Sequence, residues 1–285
     1  MKIAQSLIKF GFSSLSLIAP GPAGKLATKL FQYTGSKRLR SHETPLLSEA
    51  RTYHIAQGDN QIPVYEMGPE NGKLVVLVHG WASWAGSMLG IGRVLSKLGY
   101  RVISFDLPGH GQSPENFSNL FKISRRITAV LEEINPQEPF SMISHSLGSA
   151  GVAHALRNTS YQVNQLIYLT SPDSFVPIFS QFAQTIGLNK PAYRAYLARV
   201  SQILNEDAAS MRVSDFTSHI TYEQLILIHS QDDTVIPFRT TKGFLAELPD
   251  TRLFALSGVG HYRMLWSEEV LNILSGLFSK EPIEA

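Results

Sequence analysis

The stretch FSMISHSLGSA, residues 140–150, carries the clearest indication of both fold and chemistry in this sequence. A short apolar run at its start stops at small residues around Ser146, and Ala150 and its successors continue with helical character. The pattern predicts a strand, a sharp turn and a helix, with Ser146 at the apex. Such a turn strains the backbone of its central residue, so the positions two before and two after it must be small. Ser144 and Gly148 occupy these positions.

Predicted strands and helices alternate around this stretch from residue 74 onward. The unbroken apolar run 74–78 is typical of a strand buried on both faces, and 52–56 with 62–67 form a predicted hairpin at a sheet edge. Alternation of this kind predicts an α/β fold, a doubly wound and mostly parallel sheet with helices on both faces. The other predicted strands are 101–105, 165–169, 225–228 and 252–256, and the predicted helices are about 84–98, 117–134, 238–247 and 265–279.

Residues 172–222 interrupt the alternation. They are rich in helix formers and in apolar and aromatic side chains, and an excursion of this length between two strands is usually a cap over the strand ends. We therefore predict a helical cap at 172–222, a core made of 51–171 and 223–285, and a separate N-terminal arm at 1–50.

Polar residues follow four of the predicted strands: His79-Gly80-Trp81, Ser146, Asp232-Asp233 and His261. In parallel sheets, functional groups gather on the loops beyond the carboxyl ends of the strands. Serine is a poor nucleophile at neutral pH, so Ser146 needs a base and an anion that orients that base. Of nine histidines, we predict His261 as the base, because it directly follows a strand and its glycine neighbours let the loop approach closely. The alternative is a purely structural histidine.

Two adjacent carboxylates are candidates for the anion. Neighbouring residues in a turn point in different directions, so only one of them can reach a single imidazole. We predict Asp233 from the position of Val235-Ile236-Pro237 after it, with Asp232 as the first alternative and Asp173 as the second. The order Ser146, Asp233, His261 is the order of the triad in one known fold.

The oxyanion of a tetrahedral intermediate requires donors that are already in place. We predict the backbone N–H of Leu147, at the start of a helix, and the backbone N–H of Trp81, just after the His-Gly turn. Trp81 and Trp84 are also candidates for the wall of a substrate pocket, although aromatic side chains near a cap more often serve only packing.

These features together resemble the α/β-hydrolase superfamily. The resemblance covers about 50–285 apart from the variable cap, and it is carried by the segments His79-Gly80-Trp81, Asp106–Ser113, Ser144–Gly148, His229–Pro237 and Gly260-His261. It implies a Ser-His-Asp mechanism without a cofactor or metal, and a structural role for Asp106–Ser113. Ser144 and Ser230 stand where glycine is usual, and both are small. Serine as nucleophile argues against the dehalogenases and epoxide hydrolases of the superfamily, which use aspartate.

Composition excludes several classes of chemistry. The 285 residues include no cysteine, which rules out disulfides, thiolate catalysis and cysteine-based zinc or iron–sulfur sites. Residues 1–40 hold seven basic and no acidic side chains, and the remaining 18 basic and 23 acidic residues give a net charge of −5. No basic stripe interleaved with aromatics follows in the body, so we expect no nucleic-acid partner.

The basic arm predicts two short amphipathic helices, at about 3–18 and 22–33. Lys9 interrupts the first apolar run, and Pro20-Gly21-Pro22 stands where a signal-peptide cleavage site would lie. We therefore predict a cytoplasmic protein whose arm packs on the main domain. The alternative is that the arm contacts an anionic membrane surface.

The sequence thus favours a serine hydrolase that cleaves ester or thioester bonds of a small apolar substrate. A second hypothesis keeps the triad and changes the reaction to that of a hydroxynitrile lyase, a carbon–carbon bond hydrolase or a perhydrolase. A third is a non-catalytic, membrane-associated binding protein on the same scaffold.

Overall fold

A computed structural model describes residues 2–35 and 44–279 of the chain. Within them eight strands form one sheet, in the order β1-β2-β4-β3-β5-β6-β7-β8. The pairs from β4 through β8 are all parallel, and β2 is antiparallel to both β1 and β4. The strands are β1 Arg51–Gln57, β2 Asn60–Met67, β3 Leu74–Val78, β4 Arg101–Phe105, β5 Phe140–His145, β6 Gln162–Leu169, β7 Thr221–Ser230 and β8 Arg252–Leu256. The predicted α/β fold with a mostly parallel sheet is confirmed.

Helices connect the parallel strands, as right-handed crossovers require. The helices are α1 Lys2–Ile18, α2 Pro20–Gln32, α3 Thr44–Leu47, α4 Leu89–Lys97, α5 Leu120–Ile134, α6 Leu147–Leu156, α7 Val176–Ile186, α8 Lys190–Leu204, α9 Val213–Ser218, α10 Thr241–Glu247, α11 Gly260–Arg263 and α12 Glu268–Phe278. Short 3₁₀ turns at Ala85–Met88 and Phe238–Thr240 precede α4 and α10.

Several helices start later than the sequence pattern predicted. The helix expected at 117–134 begins at Leu120, because the side chain of Asn119 accepts a hydrogen bond from the N–H of Lys122 and caps the first turn. The helix expected at 84–98 begins as a 3₁₀ turn, and only Leu89–Lys97 is α-helical.

The strand expected at 225–228 extends in both directions to Thr221–Ser230, since its pairing with β6 continues beyond the apolar run.

The sheet is the centre of the hydrophobic core. Alternate residues of the central strands, such as Val75, Ile143 and Ile226, are buried on one face with residues of α4 and α12, including Leu95 and Leu274. The residues between them in the same strands, whose side chains point to the other face of the sheet, are buried as well. Burial on both faces explains why these strands are continuous apolar runs instead of alternating ones.

The chain order of the strands reverses beside β3. The chain passes from β3 to β4 on one side and then returns to β5 on the other, so β3 pairs with both. The carboxyl ends of strands at such a switch point form the crevice in which open α/β sheets bind ligands. Residues 79–82 follow β3 and Ser146 follows β5, which places both at this crevice.

The chain divides into two compact units, Met1–Tyr33 with Ser174–Arg212, and Thr34–Asp173 with Val213–Ala285. The sequence-based division placed residues 1–50 and 172–222 in separate segments, whereas the structure groups α1 and α2 with α7 and α8. Residues 36–43 of the predicted arm lie outside the described residues. Helix α9, which the predicted cap included, belongs to the second unit, where the Thr217 hydroxyl lies 3.1 Å from that of Tyr168.

The first unit has its own aromatic core. The ring of Phe31 on α2 packs edge-on against Phe179, Phe182 and Tyr196, at centroid distances of 5.5, 5.0 and 5.9 Å. Helix α2 approaches α8 so closely that a β-carbon on Gly24 would lie 2.6 Å from the backbone nitrogen of Tyr196. These contacts join segments more than 140 residues apart, which no local pattern predicts.

Candidate active site

Ser146 lies in a strained turn between β5 and α6. Its backbone angles, φ 52° and ψ −124°, lie outside the regions that side chains normally adopt. Its N–H donates to the carbonyl of Leu169 at the end of β6. The hydroxyl of Ser144, the serine in a usual glycine position, is buried and lies 3.1 Å from that of Ser149 on α6. Ser149 therefore provides a partner for the extra hydroxyl, a role that no sequence pattern indicated.

Gly148 allows α6 to start directly against the loop after β3. A β-carbon at this position would lie 2.4 Å from the carbonyl oxygen of His79 and 2.8 Å from that of Val78. Both neighbours are backbone atoms and cannot move without displacing the strand end. The glycine predicted from the turn pattern is thus required for close approach of helix and loop.

We expect Gly148→Ala to lower the free energy of unfolding by about 2–3 kcal/mol, because the added methyl group overlaps backbone atoms. Urea denaturation would measure the change. Gly276→Ala is the matched control: Gly276 lies inside α12 with no atom within 4 Å of an added β-carbon, so a gain of about 0.5–1 kcal/mol is expected there. Equal stability of wild type and Gly148→Ala would contradict the close-approach argument.

Asp233 and His261 are joined directly. The Nδ1 atom of His261 lies 2.8 Å from Oδ2 of Asp233, and the other carboxylate oxygen accepts the backbone N–H groups of Val235 and Ile236, each at 2.8 Å. Both side chains are buried. Burial raises the pKa of Asp233, but the hydrogen bond and charge of His261 and the two N–H donors outweigh it, so the pKa lies below its usual value.

The two alternative carboxylates have other partners. Asp232 accepts hydrogen bonds from the Ser230 hydroxyl and from the N–H of Gly258. Asp173 accepts the N–H of Ser214. Of the three candidate anions, the structure joins only Asp233 to His261.

The loop that carries His261 contacts His145, the neighbour of Ser146 in sequence. Ring nitrogen Nε2 of His145 lies 3.1 Å from the carbonyl oxygen of His261, and the two imidazole rings are 4.8 Å apart at their centroids. Within residues 44–279 no hydrogen bond joins the Ser146 hydroxyl to the His261 ring. His145 thus anchors the loop that carries the predicted base.

Ser230 and Asp232 hold the same loop from the end of β7. The Ser230 hydroxyl accepts the N–H of Gly260 at 2.9 Å and donates to Asp232 at 2.6 Å, and Asp232 accepts the N–H of Gly258 at 2.9 Å. We call these two side chains and two N–H groups the β7 clasp. A glycine at position 230 could not form it, so the departure from the superfamily pattern has a structural use in this chain.

We expect Ser230→Ala to lower kcat by about three- to tenfold with little change in KM, and to destabilise the fold by roughly 1–2 kcal/mol. The β7 clasp loses two hydrogen bonds in this variant, and one of them is the bond to Gly260 on the loop of His261. Steady-state kinetics and thermal unfolding would measure both. Ser48→Ala, which removes an exposed hydroxyl bonded to the carbonyl of Pro45, is the control. A loss of stability with kcat unchanged would show that the clasp does not position the base.

The predicted oxyanion donors belong to Leu147, which follows Ser146 directly, and to Trp81, which follows the turn at Gly80. Leu147 is the first residue of α6, where N–H groups have no partner within the helix. Trp81 follows Gly80, whose added β-carbon would lie 3.0 Å from Cβ of Ser146. The loop is braced by His79, whose Nδ1 lies 2.8 Å from the carbonyl of Gly80 and whose Nε2 accepts the N–H of Leu107 at 3.0 Å. Burial holds the pKa of His79 well below its usual value, in accord with a neutral ring.

The two tryptophans that were candidates for a pocket wall, Trp81 and Trp84, occupy different environments. Trp84, predicted as a possible pocket wall, is buried in the hydrophobic core, with its ring edge-on to Tyr65 at 5.9 Å. Its side chain therefore serves packing. Its position before a 3₁₀ turn directs the ring inward against Gly86. Trp81 is half-buried and packs edge-on against His110 at 5.1 Å.

A mostly parallel sheet, a serine in a strained turn after β5 and an Asp-His pair beyond β7 and β8 define an α/β-hydrolase fold. Residues 73–201 match the family model described as alpha/beta hydrolase fold. The match spans slightly less than half of the chain, and over these residues the chain is similar to the α/β-hydrolase family.

Proteins of several kinds are similar to this chain. A serine hydrolase-like protein of Dictyostelium discoideum is 30% identical over 138 residues, 47% of this chain and 37% of that protein, so the match spans little more than a third of the relative. A non-heme chloroperoxidase of Streptomyces lividans is 24% identical over 257 residues, 73% of this chain and 91% of the relative. An esterase structure from Pyrococcus furiosus superimposes with a TM-score of 0.66 at 18% identity, covering 87% of this chain and 97% of that one.

Proposed function

We propose that this protein is a serine hydrolase that cleaves carboxylic ester or thioester bonds of a small apolar substrate through an acyl-enzyme intermediate. The observation that carries the proposal is the 2.8 Å contact between Asp233 and His261 on a loop anchored to the residue beside Ser146. The likeness to a serine hydrolase-like protein and to an esterase supports it.

Each group would have one role in the reaction. Nε2 of His261 takes the proton of the Ser146 hydroxyl while the Ser146 oxygen attacks the substrate carbonyl. The imidazolium then gives this proton to the leaving alcohol or thiol. Asp233 holds the imidazole by its Nδ1–H and stabilises the imidazolium. Water, activated by the same ring, then releases the acid and regenerates Ser146.

The oxyanion is the charge that this site must stabilise. The N–H groups of Leu147 and Trp81 are the donors we propose for it, and the first turn of α6 adds the positive end of its dipole. Both donors are backbone groups, so their positions depend on the Gly80 and Gly148 contacts and not on the identities of the two side chains.

A fluorophosphonate probe tests the proposal, because it reacts with an activated serine and not with an ordinary one. Wild type is expected to be labelled at Ser146, as located by peptide mass spectrometry, and Ser146→Ala is expected to remain unlabelled. Ser149→Ala, which removes a buried hydroxyl of the same turn, should still be labelled. Failure to label a folded wild type would overturn the proposal.

A second candidate is a peroxide-dependent reaction at the same serine, favoured by the likeness to a non-heme chloroperoxidase over most of both chains. In it, hydrogen peroxide attacks the acyl-enzyme in place of water and gives a peracid. Assays with acetate and hydrogen peroxide would detect peracid formation. Ester hydrolysis without peracid would remove this candidate.

A further inference from the structure

Helix α1 presents its apolar residues to solvent. Leu7, Phe10, Leu17 and Ile18 are 66%, 73%, 79% and 84% exposed, and their spacing places them on one side of the helix. On its other side Phe12 is buried, and the Ser13 hydroxyl donates to the carbonyl of Gly187 at 3.1 Å. The amide of Asn189 likewise donates to the carbonyl of Ser16, at 2.8 Å. An amphipathic helix at a protein surface normally packs its apolar side against the protein and exposes its polar side to solvent.

Helix α2 continues this apolar surface. Leu26 and Leu30 line a groove of about 410 Å³ with Leu7, Gly11 and Leu15 of α1. The outward side of α2 also carries the exposed Lys25 and Lys29, and the exposed Tyr33 follows it. We call the exposed side chains of α1 and α2 together the N-terminal face.

Positive charge is concentrated in the unit that carries this apolar surface. The unit formed by Met1–Tyr33 and Ser174–Arg212 contains eight basic and two acidic residues, a net charge of +6, in a chain whose total is +2. A second groove, of about 290 Å³, is lined by Lys25, Arg199 and Gln202 on α2 and α8. Both grooves are lined in part by α2, the cationic one by Lys25 and the apolar one by Leu26.

We propose that the N-terminal face docks on an anionic lipid bilayer. Apolar side chains such as Phe10 and Leu17 enter the boundary between headgroups and acyl chains, while Lys25, Lys29 and Arg199 contact lipid phosphates. The helices lie on the membrane and do not cross it: none in residues 2–35 or 44–279 has the length and apolarity needed to span a bilayer. The combination of apolar surface and cationic rim selects an anionic membrane over a neutral one.

Flotation of the full chain with vesicles tests this proposal. Vesicles of phosphatidylcholine with phosphatidylglycerol are compared with vesicles of phosphatidylcholine alone, at low and at high salt. Wild type is expected to bind the anionic vesicles at least roughly tenfold more strongly, and to lose most of that advantage at about 0.5 M salt. Equal binding to both vesicle types, or none to either, would overturn the proposal.

Two double variants separate the apolar and cationic contributions. Phe10→Ser with Leu17→Ser, and Lys25→Gln with Lys29→Gln, are each expected to weaken binding to anionic vesicles by roughly 10- to 30-fold. Phe121→Ser and the pair Lys97→Gln with Lys242→Gln change exposed residues of the same types in the other unit, and should bind as wild type does. Loss of binding in these controls as well would refute a defined face.

A second copy of the chain is the competing occupant. Light scattering of wild type and of the Phe10→Ser, Leu17→Ser variant decides between them. A wild-type dimer that becomes a monomer in this variant, together with absence of vesicle binding, would overturn the membrane proposal. The proposal does not depend on the hydrolase function, since flotation requires no turnover.

Discussion

Replacing Ser146 with alanine is expected to reduce kcat/KM for ester hydrolysis by about 10⁴- to 10⁶-fold. The alanine leaves the Asp233–His261 pair and the backbone donors in place, so only the attacking oxygen is lost. Residual turnover would come from substrate binding and oxyanion stabilisation alone. Initial rates with aryl esters of graded chain length measure the loss and also rank acyl preference. A decrease of less than tenfold would mean that Ser146 is not the nucleophile.

The strained backbone at Ser146 is expected to lower the free energy of unfolding of the protein. A residue with side chain at φ 52° and ψ −124° carries about 1–3 kcal/mol of strain, which glycine relieves while losing about 0.5–1 kcal/mol through chain entropy. Ser146→Gly is therefore expected to raise the free energy of unfolding by roughly 1 kcal/mol and the Tm by about 2 °C. Ser146→Ala retains the strain and serves as the control. A glycine variant no more stable than the alanine variant would show that the turn is not strained.

Much of this architecture follows from local sequence. Apolar runs such as 74–78 mark buried strands because both faces of a parallel strand require apolar side chains. The turn at Ser146 is recognisable because its geometry restricts residues 144 and 148, whatever the rest of the chain does. The two N-terminal helices were predicted within two residues of their ends, since Pro20 permits a helix start but not a helix interior.

Other features depend on contacts between distant residues. The clasp from Ser230 to Gly260 and the contact from His145 to His261 span 30 and 116 residues. Nothing in the local sequence around Ser230 or His145 indicates which distant residue each of them contacts. Trp84 was a candidate for the wall of a pocket and lies in the core instead. An aromatic side chain near a strand end has the same sequence pattern in both cases. The docking of α1 and α2 with α7 and α8 was equally beyond local patterns.

Two adjacent carboxylates offer the sharpest test of the proposed mechanism. Asp233→Asn is expected to lower kcat by about 10³- to 10⁴-fold, because an amide facing Nδ1 of His261 favours the wrong tautomer and cannot stabilise the imidazolium. Asp232→Asn is expected to cost less than about fivefold, since an amide oxygen can still accept the hydrogen bonds from Ser230 and Gly258. Steady-state kinetics of the two variants at neutral pH would measure the contrast. Similar losses in both would leave the assignment of the anion without support.

The pH dependence of stability adds an independent measurement for Asp233. Its pKa in the folded protein lies below the usual value, so its carboxylate contributes stability above the unfolded pKa of about 3.9, and this contribution disappears as pH falls through the folded value. The free energies of unfolding of wild type and Asp233→Asn should therefore approach each other as pH falls below the unfolded value and through the lower folded one. Urea denaturation at several pH values measures this convergence. A constant difference across that range would mean that the charge of Asp233 is not what the surrounding donors stabilise, and the imidazole would then lack the anion that its proposed role as a base requires.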